Sequence, residues 1–382
     1  MYSPHVVVIG AGIVGAATAY YLRMAGVNVT LLEAESPSAG ATGASDGAVS
    51  VASKRPGLMM RLAGEARALY GDLATQGVLA GAFHIRPTYL FSRSTAESAL
   101  IERQGEDLRS QGETVRSLSR AELLRKIPGL GDTVLAAIEV PQDGHAIGYE
   151  VVDRLLASAR VTPRRHTRVR SLRVVNGRVT GVETQDQTLA ADAVVVAAGL
   201  GSGDLLGLGQ FLIPRKGQLI VTDRAMSPGT ALPGPLMAAS YLAAKLAPAP
   251  VASPISLVID PLRTGQFLIG SSREEGRSDR QTDARIVASI LRDALEVYPA
   301  LAQQRMIRSF AGIRTATRDG LPIVGRHPLL DGLVVATGFE GDGICLGPLM
   351  GAVAARLARG AEPGLDIAAL SPARFLAETV SV

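Results

Sequence analysis

A glycine pattern near the N-terminus constrains the fold of this chain more than any other feature. The pattern G-x-G-x-x-G occupies Gly10–Gly15 and directly follows a short Val-rich run, His5–Ile9. It opens a stretch of helical character, Ile13–Ala25, and a second apolar run, Val27–Glu33, comes next. This order predicts a strand–helix–strand unit whose two strands are parallel in one sheet.

The same residues predict a dinucleotide site. Gly10 permits a tight turn, Gly12 lets a pyrophosphate approach the backbone, and Gly15 lets the helix pack closely on the strand. The phosphates would face the helix N-terminus, and Glu33, eighteen residues beyond Gly15, would accept hydrogen bonds from ribose hydroxyls. An acid there disfavours the 2′-phosphate of NADP. The pattern does not choose between NAD and FAD, and a merely glycine-rich turn is the alternative.

Composition bounds the class of protein. The chain has 382 residues, of which 47% are hydrophobic and 19% charged, so we expect large cores rather than disorder. Its length favours two domains, or three. The net charge is +4, but the 39 basic residues are spread along the chain, which argues against a nucleic-acid partner. A single cysteine, Cys345, excludes internal disulfides and an iron–sulfur cluster held by this chain alone.

Metal binding, export and membrane insertion are also disfavoured. The five histidines have no metal-binding spacing, and no apolar run follows a charged start, so we expect no metal and no signal peptide. The uncharged stretch Ala225–Ala244 contains Pro228, Pro233 and Pro235, which makes it a poor transmembrane helix. We therefore predict a cytoplasmic protein without a transmembrane segment.

Patterns further along predict a mixture of strands and helices. The Asn176-Gly177 pair lies between two runs of strand character and predicts a β-hairpin over Arg168–Glu183. A polar stretch of helical period covers Ala96–Lys126. Other strands are predicted at Ala193–Ala198, Leu212–Thr222, Ser256–Gly270, Arg308–Thr315 and Leu333–Ala336, and other helices at Leu58–Leu79, Tyr149–Ala159, Asp283–Ala294 and Leu349–Arg359.

Three later segments point to a family. Residues 192–203 read DAVVVAAGLGSG, residues 317–326 read TRDGLPIVGR, and residues 332–351 read GLVVATGFEGDGICLGPLMG. Together with the N-terminal motif, they make the chain resemble the FAD-dependent D-amino-acid oxidase superfamily. Within it, the chain is similar to glycine oxidase and to the flavin subunits of opine oxidase, D-hydroxyproline dehydrogenase and hydrogen cyanide synthase. By composition alone, VVVAAG could equally be a core strand with a glycine cap.

The resemblance implies an α/β fold of two domains. The first is a discontinuous, Rossmann-like FAD-binding domain made of residues 1–75, 141–205 and 308–382. The second is an α+β substrate domain built on an antiparallel sheet, made of residues 76–140 and 206–307.

The resemblance also implies which residues bind FAD. They are Gly10, Ala11, Gly12, Ile13, Val14 and Gly15 at the pyrophosphate, Glu33 and Ala34 at the adenosine ribose, Val169 at the adenine, Ala198 and Gly199 over the dinucleotide, Thr42, Gly43, Ala44, Ser45 and Gly47 toward the isoalloxazine, and Gly312, Gly338, Gly341, Asp342, Gly343 and Ile344 around the flavin. Cys345 does not occupy the position at which monomeric sarcosine oxidase holds a covalent flavin, so we expect non-covalent FAD.

The C-terminal loop has a physical role of its own. The predicted helix Leu349–Arg359 has Pro348 at its first position and Gly360 past its end. The preceding loop, Gly338–Gly347, would then point backbone N–H groups and a positive dipole end at a neighbouring anion, such as reduced flavin. In the family this loop lies along the flavin, so Gly343 is assigned to the catalytic set. A plain glycine-rich helix entry is the alternative.

Substrate recognition is expected at Arg314. This residue lies in a small, otherwise apolar segment, and glycine oxidase has an arginine at the matching position that binds the substrate carboxylate. A guanidinium offers two parallel donors and a charge that is never titrated away. The alternative is an ion pair with a buried acid of the scaffold. The resemblance implies a substrate-site tyrosine, for which Tyr241 is the candidate.

Two acids depart from the glycine oxidase pattern. Glu340 and Asp342 occupy a loop that is basic and amide-bearing in glycine oxidase. They could receive a cationic group of the substrate, or they could be solvated surface charges.

These expectations define a function. The chain would oxidise the C–N bond of an amino acid or secondary amine of the opine, D-amino-acid, hydroxyproline or glycine type. It would act as the flavin subunit of a hetero-oligomeric dehydrogenase, with iron–sulfur or second flavin subunits as partners and the stretch Ala225–Ala244 as an interface. No lysine has a clear place beside the flavin. The alternatives are a self-sufficient oxidase that releases hydrogen peroxide and a non-catalytic FAD-binding scaffold.

Overall fold

The computed structural model describes residues 3–224, 232–246 and 255–376. Its strands are β1 (His5–Ile9), β2 (Asn28–Leu32), β3 (Ala48–Val49), β4 (Phe83–Ile85), β5 (Thr88–Ser92), β6 (Arg116–Ser119), β7 (Ala136–Val140), β8 (Gly144–Ala146), β9 (Val169–Val175), β10 (Arg178–Thr184), β11 (Thr188–Ala190), β12 (Ala193–Val196), β13 (Leu212–Thr222), β14 (Leu236–Ala238), β15 (Ile255–Pro261), β16 (Phe267–Ser272), β17 (Glu274–Glu275), β18 (Met306–Thr317), β19 (Ile323–Arg326) and β20 (Leu333–Thr337). Its α-helices are α1 (Ile13–Met24), α2 (Leu58–Thr75), α3 (Thr95–Ser110), α4 (Arg120–Lys126), α5 (Gly148–Ala159), α6 (Ser202–Leu206), α7 (Ala239–Leu246), α8 (Ala284–Val297), α9 (Gly343–Ala358) and α10 (Ala373–Leu376).

A five-stranded sheet contains the predicted strand–helix–strand unit. Its order is β19-β20-β12-β1-β2, and β1 is parallel to both β2 and β12. Val6, Val7 and Val8 are almost completely buried, as expected for a central parallel strand covered on both faces. The predicted βαβ opening is therefore confirmed, and so is the mixed α/β class of the fold.

Helices α1 and α9 pack closely on one face of this sheet. A Cβ atom on Gly347 would lie 2.7 Å from Ile13 Cγ2, and one on Gly351 would lie 2.4 Å from the Ala17 Cβ. These glycines are four residues apart and therefore face the same side of α9. Their missing side chains let the two helix backbones approach, which fixes α9 beside the glycine-rich turn.

The last long helix begins earlier than the sequence predicted. We expected a helix over Leu349–Arg359 with Pro348 at its first position, whereas α9 starts at Gly343 and runs through Pro348. Pro348 has no N–H to donate to the carbonyl of Ile344, four residues earlier. The Tyr70 hydroxyl donates to that carbonyl instead, at 2.7 Å, so the proline is accommodated inside the helix.

The second large sheet has nine strands and is mainly antiparallel. Along β17-β13-β16-β15-β14-β5-β7-β6 only the pair β14 and β5 is parallel, and β18 pairs with β13 along almost its whole length. Gly217 in β13 lies opposite Gly312 in β18. The strand β18 belongs to this sheet, although residues 308–317 were assigned by sequence to the FAD-binding domain. The domain boundaries themselves stay a prediction.

Two predicted stretches are split by turns. The Ser256–Gly270 stretch forms β15 and β16, which are joined by a turn whose Gly265 has a φ of +90°. The helical pattern over Ala96–Lys126 forms α3, β6 and α4, because α3 ends just before Gly112, whose φ is +85°. The Asn176-Gly177 hairpin is confirmed, with both residues at positive φ as a type I′ turn requires.

The uncharged stretch Ala225–Ala244 does not provide the expected interface where it is described. Residues 225–231 lie outside the described residues. The following strand β14 lies inside the nine-stranded sheet, between β15 and β5, and its three residues are buried. Leu242 and Ala244 on α7 are buried as well. The described part of this stretch is therefore core rather than an exposed surface.

Candidate active site

A cavity of about 640 Å³ opens at the carboxyl ends of the parallel strands. Ile9 at the end of β1, Glu33 after β2, Ala198 after β12 and Gly338 after β20 all line it. Ligands of open α/β sheets bind at this edge, and the volume is typical of a small-molecule or cofactor site. The cavity continues to the paired strands β13 and β18 of the antiparallel sheet.

The glycine-rich turn has the geometry that the sequence predicted. Gly10 has a φ of +99°, and a Cβ atom there would lie 2.5 Å from the Ala197 carbonyl oxygen. A Cβ atom on Gly15 would lie 1.9 Å from the Gly10 carbonyl oxygen, so α1 packs directly on the turn. Gly12 and Val14 line the cavity, and their N–H groups are among the first four of α1, which have no acceptor within the helix.

Glu33 faces the cavity and also orders the turn. Its carboxylate accepts hydrogen bonds from the N–H of Ala11 at 2.8 Å and from the N–H of Glu35 at 2.9 Å. Thr42 Oγ1 accepts from the N–H of Ile13 at 3.1 Å. An acid and a hydroxyl therefore border the N-terminus of α1.

Most of the predicted site residues line this one cavity. Those that do are Gly10, Gly12, Ile13, Val14, Glu33, Ala34, Thr42, Ala44, Ser45, Val169, Tyr241, Ala198, Gly199, Gly312, Arg314, Gly338, Glu340, Gly341, Gly343 and Ile344.

Five predicted cofactor-binding residues lie away from the cavity wall: Ala11, Gly15, Gly43, Gly47 and Asp342. Ala11 is fully buried and Gly15 packs on the turn. A Cβ atom on Gly43 would meet the Ser38 carbonyl, and one on Gly47 would meet the ring of His145. These two glycines are therefore needed for loop packing.

Arg314 faces the cavity from β18 without an acidic partner. Its Nη2 donates to Ser271 Oγ at 2.7 Å, and its Nη1 donates to the Ser272 carbonyl at 3.3 Å. No carboxylate lies within ion-pairing distance of it among the described residues. The guanidinium lies against Gly217, where a Cβ atom would be only 2.7 Å from Nη2. Among the described residues, Arg314 therefore does not form the ion pair with a scaffold acid that was the alternative prediction.

Tyr241 lies beside the same part of the cavity. Its hydroxyl oxygen would be 3.6 Å from a Cβ atom on Gly341, and the Arg314 Cδ would be 3.9 Å from the same point. The Tyr241 hydroxyl and the Arg314 side chain therefore both lie beside Gly341. Tyr241 is on α7 and Arg314 is on β18, so only the tertiary structure makes them neighbours.

Glu340 is neither a free acceptor nor a solvated charge. Its Oε1 accepts from Arg215 Nη1 at 2.7 Å and from Arg273 Nη1 at 2.9 Å, and its side chain is only 12% exposed. Burial alone would raise the pKa of Glu340, but the nearby cations, Arg273 first, lower it to about 2. Two arginines already neutralise this carboxylate, which corrects the expectation that it receives a cationic substrate group.

Asp342 faces away from the cavity. Its Oδ1 accepts from Lys54 Nζ at 2.8 Å and from Lys245 Nζ at 2.7 Å, and all three residues are buried. Burial would raise the pKa of Asp342, but Lys245 and Lys54 hold it well below its usual range. Its carboxylate is therefore not free for a cationic substrate group, which corrects that expectation, and its cofactor-binding role stays a prediction. Two lysines lie directly behind the loop that contains Gly341 and Gly343, which the sequence did not indicate.

The N-terminus of α9 faces the cavity. Gly343 and Ile344, its first two residues, both line the wall, so the unpaired N–H groups of the first turn lie there. The helix has 16 residues, and its positive dipole end favours an anion at this position. The earlier start at Gly343 brings this end closer to the cavity than a start at Leu349 would.

Several residues of the cavity wall were not predicted from the sequence. They include Asp46, Thr167, Arg168, Gly217, Leu219, Ser278 and Arg280. Asp46 directly follows the predicted Ser45, and Thr167 and Arg168 directly precede the predicted Val169, so their positions in the chain were signals that could have been used. Gly217 and Leu219 lie on β13, and Ser278 and Arg280 lie in the loop after β17, so their approach to the cavity has no local signature.

Residues 3–224, 232–246 and 255–376 contain neither a metal-binding cluster nor a membrane-spanning helix. No group of three or more His, Cys, Asp or Glu side chains in these ranges could hold a metal ion. No helix in them is both long and apolar enough to cross a membrane.

Comparison with known proteins identifies relatives over almost the whole chain. Residues 5–357 match the family model described as FAD dependent oxidoreductase. The glycine oxidase of Geobacillus kaustophilus is 30% identical over 393 residues, covering 97% of this chain and 97% of that protein. Its crystal structure superposes with a TM-score of 0.84 at 28% identity, covering 97% of this chain and 98% of the other.

A subunit of a larger enzyme is also similar. The hydrogen cyanide synthase subunit HcnC of Pseudomonas aeruginosa is 26% identical over 427 residues, covering 99% of this chain and 97% of that protein.

Proposed function

This chain belongs to the FAD-dependent oxidoreductase family, and on that premise we propose that it oxidises the C–N bond of a small amino acid or N-substituted amino acid. Arg314 is the observation that carries the proposal. It is a permanent cation that faces the cavity and has no acidic partner among the described residues. A substrate carboxylate would supply the missing partner in a bidentate pair.

The cofactor is FAD, and the residues of the cavity fit it. The bare backbones of Gly10, Gly12 and Gly199 leave room where a dinucleotide phosphate must approach, and the N-terminus of α1 supplies unpaired N–H groups. Glu33 faces the same space and suits ribose hydroxyls. When bound, FAD supplies the capacity to accept a hydride from the carbon that carries the nitrogen.

The protein groups at the other end of the cavity bind and orient. Arg314 and the Tyr241 hydroxyl converge beside Gly341, so together they would fix the substrate carboxylate. The first turn of α9 presents N–H groups and a positive dipole end at Gly343, which favours negative charge on the cofactor. The assignment of these roles, like the division into an FAD-binding and a substrate domain and a cytoplasmic location, is part of the proposal.

Arg314→Ala should retain FAD but lose catalytic efficiency. A hydrogen bond to a charged group contributes about 1.5–3 kcal/mol, so kcat/KM for a carboxylated amine should fall about 10- to 150-fold. Arg314→Lys should recover only part of this loss, because lysine lacks the planar fork. Steady-state kinetics on the substrate found by anaerobic flavin bleaching would measure both changes.

Arg318→Ala is the matched control for this series. Arg318 is four residues away, is exposed and lies over the ring of Phe211, so its loss should leave kcat/KM unchanged. Normal turnover of a carboxylated substrate by the Arg314→Ala variant would show that the arginine does not bind the carboxylate.

The electron acceptor separates two forms of the proposed function. We propose that the chain is the flavin subunit of a hetero-oligomeric dehydrogenase, which is supported by its similarity to the HcnC subunit. The single cysteine is consistent with this, since onward transfer through an iron–sulfur cluster would need a partner subunit. A self-sufficient oxidase is the second candidate, favoured by the 30% identity to a glycine oxidase.

Reoxidation of the reduced, isolated chain should therefore be slow in air-saturated buffer and accelerated by an electron-accepting dye. Stopped-flow absorbance of the flavin measures the rate. Fast reoxidation that matches turnover and yields one hydrogen peroxide per flavin would establish the oxidase instead.

A further inference from the structure

We propose that Asp46, with Asp260 behind it, forms an anionic subsite that binds the positively charged nitrogen of the substrate. The inference rests on the proposed function and extends it, since it makes the enzyme select zwitterions over simple carboxylates. It places Arg314, which would bind the substrate carboxylate, and Asp46, which would bind the substrate nitrogen, at the same end of the cavity.

The subsite is a small niche that adjoins the main cavity. Asp46, Leu219 and Tyr241 line both spaces, and Asp260 and Ser271 complete the polar wall of the niche. Its volume is about 10 Å³, which is about the space of one water molecule. A niche of this size admits one small substituent of the nitrogen, such as a single methyl group, so the nitrogen itself would lie at the mouth of the niche beside Asp46.

Asp46 has a carboxylate that the fold has not neutralised. Its Oδ1 accepts one hydrogen bond, from the N–H of Ala48 at 3.2 Å, and it has no ion pair with another described residue. The ring of His145 contacts the Asp46 backbone carbonyl rather than the carboxylate. Burial lowers the pKa of His145 to about 3, so the ring is neutral near pH 7 and cannot balance the charge.

Asp260 adds a second carboxylate to the niche, although Arg86 already pairs with it. It is only 1% exposed, and Arg86 Nη2 donates to its Oδ2 at 2.8 Å. The Oδ1 atom lies 2.6 Å from the same nitrogen but has no hydrogen-bond donor among the described residues. Burial raises the pKa of Asp260 to about 7, Arg86 opposes this, and Asp46 raises it further. A cation beside the two carboxylates would offset both the desolvation of Asp260 and the repulsion between Asp260 and Asp46.

The position of the niche relative to Arg314 matches an amino acid. Ser271 lines the niche, and its Oγ accepts from Arg314 Nη2 at 2.7 Å, so one side chain separates the two charged groups. An α-amino acid carries its carboxylate and its ammonium on a single carbon. A hydroxy acid has the carboxylate alone and would leave the Asp46 charge unpaired, at an energetic cost. The pair of sites therefore distinguishes amines from alcohols before any chemistry occurs.

Two probes of the same shape test the charge directly. Betaine (N,N,N-trimethylglycine) has a carboxylate and a permanent cation, and 3,3-dimethylbutanoate replaces that nitrogen by carbon. Titration of the FAD-loaded enzyme with each probe, followed by flavin absorbance, gives the two Kd values. We expect the wild type to bind betaine at least about tenfold more tightly, and Asp46→Asn to abolish that preference by weakening betaine alone.

Matched variants complete the test. Asp46→Glu keeps the charge and should recover part of the preference, whereas Asp186→Asn, on an exposed loop, should leave both Kd values unchanged. A wild type that does not prefer betaine, or an Asp46→Asn variant that weakens both probes equally, would overturn the subsite and leave Asp46 with a role in loop structure. Arg314→Ala should weaken both probes. Unchanged binding of both would instead contradict the proposed carboxylate site, so the two failures are distinguishable.

Discussion

Gly12→Val should give a folded chain that carries no FAD, whereas the wild type should carry close to one FAD per chain. The Gly12 backbone has a φ of −75° and a ψ of −178°, which valine adopts without strain. A Cβ atom there would already lie 3.3 Å from Thr42 Oγ1 at the cavity wall, so the two methyl groups would occupy space that the pyrophosphate needs. The ratio of flavin to protein absorbance measures loading, and circular dichroism reports folding.

The same preparations test whether FAD is bound non-covalently. Cys345 is buried, and its Sγ lies 3.8 Å from the Ser50 carbonyl rather than at the cavity wall. Acid precipitation of the wild type should therefore release all of the yellow colour into the supernatant, and colour in the pellet would show a covalent bond. Gly71→Val, in α2 with open space around its Cβ position, should load FAD normally. Normal loading of Gly12→Val would mean that the phosphates bind elsewhere.

Asp342→Asn should be the most destabilising of these substitutions. Lys54 and Lys245 are 4% and 6% exposed and share this one carboxylate, so neutralising it leaves two buried cations without a counter-ion. Removing one member of a buried ion pair costs about 3–5 kcal/mol, a large part of the total stability of a typical domain. Urea denaturation at pH 7 would measure the loss in the free energy of unfolding.

The effect should depend on pH in a defined direction. Lys245 and Lys54 hold the pKa of Asp342 below its unfolded value of about 3.9, so its contribution to stability is fully present above that pH. The contribution is lost as the pH falls through the lower, folded pKa. The difference between wild type and variant should therefore be largest near neutral pH and shrink below about pH 4.

A surface acid provides the control for Asp342. Asp132 is fully exposed and pairs with Arg120 at 2.8 Å, so Asp132→Asn should leave the unfolding midpoint essentially unchanged. If Asp342→Asn were as stable as this control at pH 7, the lysine–aspartate cluster would contribute nothing to the fold.

The sequence predicted the features that depend on a few consecutive residues. The turn from β1 into α1 needs a positive φ at Gly10 and no side chain at Gly15, and the Asn176-Gly177 hairpin needs two residues that tolerate positive φ. These constraints act within about four residues, so composition and spacing reveal them. Most of the residues that the family resemblance assigned to FAD line the cavity, and their contacts with the cofactor stay a prediction.

Predictions from the sequence were wrong where the role of a residue depends on a partner far away in the chain. Glu340 and Asp342 looked like free acids beside a glycine-rich loop, but Arg215, Arg273, Lys54 and Lys245 reach them from other elements. No local pattern could pair Lys54 with a carboxylate 288 residues away. The start of α9 was misplaced because the Tyr70 hydroxyl accommodates Pro348, again from a distant helix.

The sequence by itself determined that this chain builds a dinucleotide cradle, since backbone geometry at the strand–helix turn is a local property. Only the tertiary structure decided which charges face the ligand. Burial and pairing set whether a carboxylate is neutralised, and both depend on how the antiparallel sheet meets the parallel one. Where the two sheets meet, Arg314 and Asp46 face the cavity without ion-pair partners among the described residues. Glu340 and Asp342 instead form ion pairs with arginines and lysines from other elements.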